Sequence, residues 1–441
     1  MNCISCSGAR SLLLTLVGKR RYAMYLALIA VAACGVETSE SADGPVERDY
    51  RAHYSVRVEP ADSSAEVSLE IRQSGSLLRE LRFPALSGAL SNFSGDGELM
   101  ISDGALRWLP PATGGTLRWR VRIAHRRGEN AYDAWLGSEW GMFRAEDIIP
   151  RARTRSLEGS MSKTTLSFEL PAGWSAVTEY PDSGDLISVD RPDRRFDQPA
   201  GWIVVGNIGV RRETIDGIRV AVAGPQGHAV RRLDMLALLN WTLPELVDVL
   251  RQPLTRLTIV SAGEPMWRGG LSAPASLYIH ADRPLISENA TSTLLHEVFH
   301  TAVSIRAGAG ADWIVEGLAE YYSIELLKRS GTISLSRHKT AIAAQADWAG
   351  EAETLCGETS TGPTTAFAVT VFHELDAEIR DKTAGAANLD DLLRQVIATR
   401  EPIDAAGLAE IAAQLIGEPS DALHIDKLPG CPRIGPGDQS N

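Results

Sequence analysis

Cysteine is scarce in this sequence, with five among 441 residues, so no dense disulfide scaffold holds the fold. A cationic excess is missing too: 44 Lys and Arg against 56 Asp and Glu leave a formal net charge of -12. That balance, with no Lys/Arg-rich patch, argues against nucleic acid as a partner. Long hydrophobic runs are lacking; Met24 to Ala33 is apolar but too short to cross a bilayer as a helix. No internal repeat is visible, which speaks against solenoids and propellers. What remains is ordinary globular composition, 44% hydrophobic and 23% charged, in a chain long enough for two or three domains.

The first residues read as an export signal. Lys19, Arg20 and Arg21 precede the short apolar core, which ends in Val31-Ala32-Ala33-Cys34 and then Gly35. This run resembles a bacterial lipobox, whose cysteine is lipidated after cleavage. An Ala-x-Ala-like secretory site followed by a coincidental Cys is the other reading, and the start codon is open between Met1 and Met24. Removal of residues 1–33 takes Arg10, Lys19, Arg20 and Arg21 but no acid, moving the net charge from -12 to -16. The expectation is an exported protein of the bacterial cell envelope, tethered to the membrane through Cys34. Gly35 in place of Asp favours the outer membrane, facing the periplasm or the cell surface. Of the other cysteines, Cys3 and Cys6 fall in the leader, which leaves Cys356 and Cys431 as a pair for an oxidising compartment. A disulfide between them would contribute about 4 kcal/mol by loop entropy.

Residues 34–47 are polar and acidic, as a flexible tether should be. From Tyr50 the pattern has period two: "HYSVRVEP", "AEVSLEIRQ", "LRWRVRIAHR", "TTLSFELP", "GWIVVGNIGV" and "IRVAVAG". These predict an antiparallel β-sandwich-like domain over 48–224, with Trp108, Trp119, Trp135, Trp140, Trp174 and Trp202 mostly in its core. After Gly224-Pro225 the period lengthens. A helix over 228–250, interrupted near Pro244, precedes two short strands, "RLTIVSA" and "ASLYIHA". Helices follow at 286–307, 312–330, 337–350, 364–380 and 388–399. The fold class is α+β and multidomain, with a mainly α second domain over 225–430 and a tail at 431–441.

The chemistry concentrates in "TLLHEVFHTAV", where His296, Glu297 and His300 stand in the order H-E-x-x-H. Two imidazoles four apart share one helical face, and roughly one such chain in a hundred would carry the pattern by chance. Leu294, Leu295, Val298, Phe299 and Ala302 make the rest of the helix apolar, so the polar trio needs a partner. A single Zn2+ supplies it: neutral imidazoles bind at ~2.0–2.1 Å, with a third protein ligand and water completing a tetrahedron. "ADWIVEGLAEYYSIELL" offers Glu316 as that ligand and Glu320, one turn on, as the acceptor that fixes a histidine tautomer. The reverse assignment of the two acids stays open. Glu297 then serves as general base. His53, His125, His228, His280 and His424 lack ligand spacing and read as structural or surface residues.

These blocks resemble the gluzincin metallopeptidases of the glycyl-aminopeptidase type, a family often followed by a PDZ-like domain. "HEVFHT", "WIVEGLAEYYSIELLKRSGTISL" and "FHELDAEIRDKTAGAANLDDLLRQV" are similar to successive parts of its catalytic domain, and "YRAHYSVRVEP" to the start of its β domain. The resemblance implies a thermolysin-like catalytic domain, with His296, His300 and Glu316 matching zinc ligands and Glu297 the base. Three departures stand out. The family's Gly-Gly-Leu-Glu-His run, which can hold a peptide's amino terminus, is here "RGGLSAPASLYIH": Gly269, Gly270 and Leu271 are kept, while Ser272 and Ala273 replace the acid and histidine. The family tyrosine that donates to the oxyanion has Gly362 and Pro363 near its place. Tyr321, Tyr322, His338 and His373 are the candidates to substitute for it. No PDZ-like domain follows the helices. The "ASLYIHA" strand reads either as one that pairs with substrate backbone by strand addition or as a plain edge strand of a small sheet.

The resulting expectation is an exported zinc metallopeptidase acting on peptide or protein substrates near the membrane. Its rival is a zinc- or peptide-binding lipoprotein with impaired turnover, and an envelope adhesion or assembly factor ranks behind both.

Overall fold

Alternation in "DYRAHYSVRVE" sends Tyr50, Ala52, Tyr54, Val56 and Val58 inward and leaves Arg51 and Arg57 outside, the signature of a strand with one buried face. The computed structural model describes residues 48–180, 185–189 and 195–432; the leader, Cys34, the tether and most of the tail lie outside them. Asp49–Glu59 sits in a six-stranded sheet between Met161–Glu169 and Ser64–Arg72. Its pairing with Met161–Glu169 is parallel, which departs from the purely antiparallel sandwich expected. Parallel strands need a long crossover, and the hundred residues between these two hold other strands of the same sheet, the whole four-stranded sheet and part of a five-stranded one. Trp108, Trp119, Phe83, Tyr50 and Tyr54 are fully buried where these sheets meet.

A further five-stranded sheet carries the functional region. Its order is Ile208–Ile215, Ile218–Pro225, Arg256–Ala262, Ser276–His280 and Gly270–Ala273. Ile218–Pro225, Arg256–Ala262 and Ser276–His280 run parallel, while Gly270–Ala273 is an antiparallel edge. A boundary at 224 therefore cuts through the end of a strand that belongs to this sheet. It also follows that "ASLYIH" is interior, with neighbours on both sides, and cannot add a substrate strand. The edge on that side of the sheet is Gly270–Ala273, and Ile208–Ile215 forms the opposite one.

Arg232–Leu250 is one continuous helix, and Pro244 does not interrupt it. Proline costs about 3 kcal/mol inside a helix. Met235, Leu236, Leu238, Leu239, Leu243, Leu246, Val249 and Leu250 are buried there, each side chain contributing about 1.5–3 kcal/mol, so packing wins. Helices at Asp312–Arg329, Leu335–Ala349, Pro363–Lys382 and Leu389–Thr399 fall where the periodicity predicts. A last helix, Ala405–Ile416, capped by Asp404, was not anticipated. Among the described residues no helix is long and apolar enough to cross a membrane. Cys356 and Cys431 form a disulfide with Cα atoms 4.8 Å apart, tying the end of the described chain to the helical region.

Asp312–Arg329 is anchored by buried charge. Glu325 accepts from His338 at 2.7 Å and pairs with Lys328 at 3.0 Å. Burial pushes the Glu325 carboxyl up, but His338 and Lys328 outweigh it and hold it at about 2. A depressed carboxyl stabilises the fold above its unfolded value of 4.5, and that contribution is lost as pH falls from 4.5 toward 2. Glu325→Gln is therefore expected to melt lower than the parent at pH 7. The gap should close as thermal unfolding is followed down to pH 2; a gap independent of pH would sink this account.

Candidate metal centre

The H-E-x-x-H lies on the helix Thr293–Ala302, shorter at both ends than the 286–307 expected. Ser292 caps it, accepting from Leu295 N at 3.2 Å, while Ser287 closes a turn with Thr291 just upstream. Leu294, Leu295, Val298 and Phe299 bury one side, and His296 and His300 leave the other together. The Asp312–Arg329 helix lies against it and brings Glu316 and Glu320 to the imidazoles.

His296 Nδ1 is 3.1 Å from Glu320 Oε2, so Nδ1 carries the proton and donates to the carboxylate. That leaves Nε2 of His296 as a lone-pair donor, 3.0 Å from Nε2 of His300 and 3.2 Å from Glu316 Oε2. Glu316 Oε1 is 3.4 Å from His300 Nε2, and the three ligand atoms lie within 4.8 Å of one another. Ligand atoms ~2.0–2.1 Å from a tetrahedral zinc stand about 3.3 Å apart. The donor set and spacing fit one zinc ion, with Glu316 toward the ion and Glu320 behind His296, the arrangement favoured from sequence. Burial pulls His296 down, but Glu316 and Glu320 prevail and carry the free imidazole up to about 10. Burial likewise raises Glu316, yet its two histidine partners hold it well below the usual carboxylate range. Both shifts report the same strong attraction between imidazoles and carboxylates.

Glu297 is 8% exposed and points to the edge strand, where Ser272 N–H donates to its carboxylate. Burial raises its pKa against the pull of both histidines. Gly270 makes room for it: a Cβ there would stand 2.5 Å from Glu297 Cγ. Gly270→Ala is expected to displace the carboxylate and cut turnover about 10²-fold with zinc content unchanged. Turnover at the parent level in Gly270→Ala would show that this approach is not needed.

A cleft of about 760 Å³ opens over these groups. Gly269, Gly270, Leu271 and Ser272 form one wall, and Thr359, Ser360, Thr361, Gly362 and Thr365 another. The four proposed oxyanion donors are not among its lining residues. Tyr322 is fully buried and donates to Asp390 Oδ1 at 2.9 Å; Tyr321 is buried beside it. His338 is bound to Glu325, and His373 lies next to His338. The hydroxyl-rich loop before Pro363 occupies that wall instead, with Ser360 N–H held by Asp312 Oδ2 at 2.7 Å. Sequence reasoning also passed over Arg127, Trp267, Arg283 and Gln345, which line the cleft.

By overall fold the chain is similar to solved zinc peptidases. A protein of the aminopeptidase N family from Idiomarina loihiensis matches with a TM-score of 0.60 at 17% identity, over 79% of this chain and 70% of that one. The fold is like that of these solved peptidases. The M1 zinc metallopeptidase of Deinococcus radiodurans, solved as a point mutant alone and with a Tyr-Ser-Ala substrate, matches with 0.53 at 16% identity over 85% of this chain and 92% of that one. No family model matches the sequence, and no curated protein does. A metallopeptidase fold thus surrounds residues whose spacing suits zinc.

Proposed function

We propose that the protein is an exported zinc-dependent peptidase. The observation that carries this is the convergence of His296, His300 and Glu316 beside a buried Glu297 at a free strand edge. Zinc bound by the three ligands would polarise a carbonyl and lower the pKa of a water toward 7. Glu297 is placed to take the proton of the attacking water and return it to the leaving amine. Glu320 keeps His296 in the Nδ1–H tautomer, so that Nε2 remains a ligand. The Gly270–Ala273 edge offers unpaired backbone groups to an extended peptide.

Ser272 stands where the glycyl-aminopeptidase type has an acid, so a free α-amine gains no carboxylate there. We read the activity as endopeptidase or relaxed exopeptidase. Unblocked and amino-blocked peptide libraries, incubated with the protein and with a zinc-chelated sample, test this. Cleavage of both sets, lost on chelation, is expected; cleavage confined to unblocked peptides would make it an aminopeptidase. The competing reading, a zinc- or peptide-binding lipoprotein of impaired turnover, draws on the lack of any tyrosine among the described residues that line the cleft. No cleavage by zinc-loaded protein would establish it. Membrane tethering through Cys34 at the cell envelope belongs to the same proposal, and the mass of the mature amino terminus tests it.

A further inference from the structure

The wall of the cleft next to the edge strand is assembled from two distant parts of the chain. The hairpin of Ala124–Arg126 and Tyr132–Leu136 reaches the loop before the edge strand. There Tyr132 N–H donates to Pro265 O at 3.0 Å, and its carbonyl accepts from Trp267 N at 2.8 Å. This stitch sets Arg127, at the hairpin turn, over Trp267, its guanidinium carbon 4.1 Å from the ring centroid. Gly269 allows the indole to fold back over the chain, since a Cβ would meet the ring at 2.1 Å. Arg283, shortly after the Ser276–His280 strand, lines the same cleft.

The charges in this cleft are unevenly engaged. Its acids all have partners: Glu316 and Glu320 hold histidines, Glu297 accepts from Ser272, and Asp312 holds Ser360. Among the described residues neither Arg127 nor Arg283 has a carboxylate within 4.0 Å. The Arg127 guanidinium lies over the Trp267 ring, a cation–π contact, and a guanidinium can receive a carboxylate in two parallel hydrogen bonds. Two exposed guanidiniums lining the cleft of a chain carrying -12 favour anions locally, against the sign of the whole molecule.

We infer that Arg127 and Arg283 select peptides bearing a carboxylate near the scissile bond, either an acidic side chain or the chain's own C-terminus. The inference rests on the peptidase reading of the cleft, and binding separates the two. Labelled peptides identical except for Glu or Gln at one position, each as C-terminal acid or amide, are titrated into zinc-loaded Glu297→Gln protein. Fluorescence anisotropy reads binding, and the parent protein is assayed on the same peptides for cleavage. The carboxylate-bearing member of a pair is expected to bind about tenfold tighter or more. That gap should collapse in Arg127→Gln, recover in part in Arg127→Lys, and narrow at high salt. A gap confined to the acid/amide pairs assigns the C-terminus, and one confined to the Glu/Gln pairs assigns a side chain. Equal binding of all four peptides overturns the inference, even where the parent cleaves them. Selective binding without cleavage upholds it and removes the peptidase reading instead.

Discussion

Glu297→Gln is expected to lower peptide turnover about 10³-fold while zinc content stays unchanged. The substitution keeps the volume of a side chain that is 8% exposed, and its amide oxygen can still accept from Ser272 N–H. None of the three ligand atoms is altered. What disappears is a group able to accept a proton and release it again. Turnover numbers measured beside metal analysis of the same samples decide the matter. A variant as active as the parent would remove Glu297 from the reaction.

Glu316→Gln is expected to lose the metal and with it part of the stability of the fold. A neutral amide leaves two imidazoles to hold a divalent ion without the carboxylate that now lies 3.2 and 3.4 Å from them. Where zinc is present at a hundred times its dissociation constant, binding stabilises the parent by about 2.7 kcal/mol. Thermal unfolding should therefore fall on chelation of the parent and rise again on adding zinc, whereas Glu316→Gln should melt low under both conditions. A melting temperature of the parent that ignores chelator and zinc alike would count against a resident ion.

The cluster of candidate metal ligands was legible because its geometry is nearly local. His296 and His300 share a face by spacing alone, and Glu316 and Glu320 repeat that spacing one helix later. The likeness of "RGGLS" to a substrate strand pointed to a segment that lies at a sheet edge lining the cleft. "ASLYIH" misled because strands buried on both faces read as continuous apolar runs, which do not tell an interior strand from a border one. Tyr321 and Tyr322 misled for a different reason. Their polar tips face inward, and the partner of Tyr322 is Asp390, 68 residues on. Arg127 was invisible in the same way, since its ring partner, Trp267, stands in another region of the chain. Pro244 was read by its local cost, and the eight apolar side chains that outweigh it count only once the sheet beneath them is known. The helix Ala405–Ile416 carries its signals in plain view, Asp404 before it and Gly417 after it.

The stitch between Tyr132 and the Pro265–Trp267 segment bears on how such a protein can change over evolutionary time. Recombination at Pro225, where the periodicity of the sequence switches, would strip the second half of two strands of its own sheet and of the hairpin that carries Arg127. The halves are therefore not interchangeable cassettes. On the reading proposed above, a new specificity at this cleft has to arise by substitution within one lineage of paired halves, and changes in the hairpin turn at Arg127–Ala131 would retune substrate choice without touching the residues proposed to hold the metal.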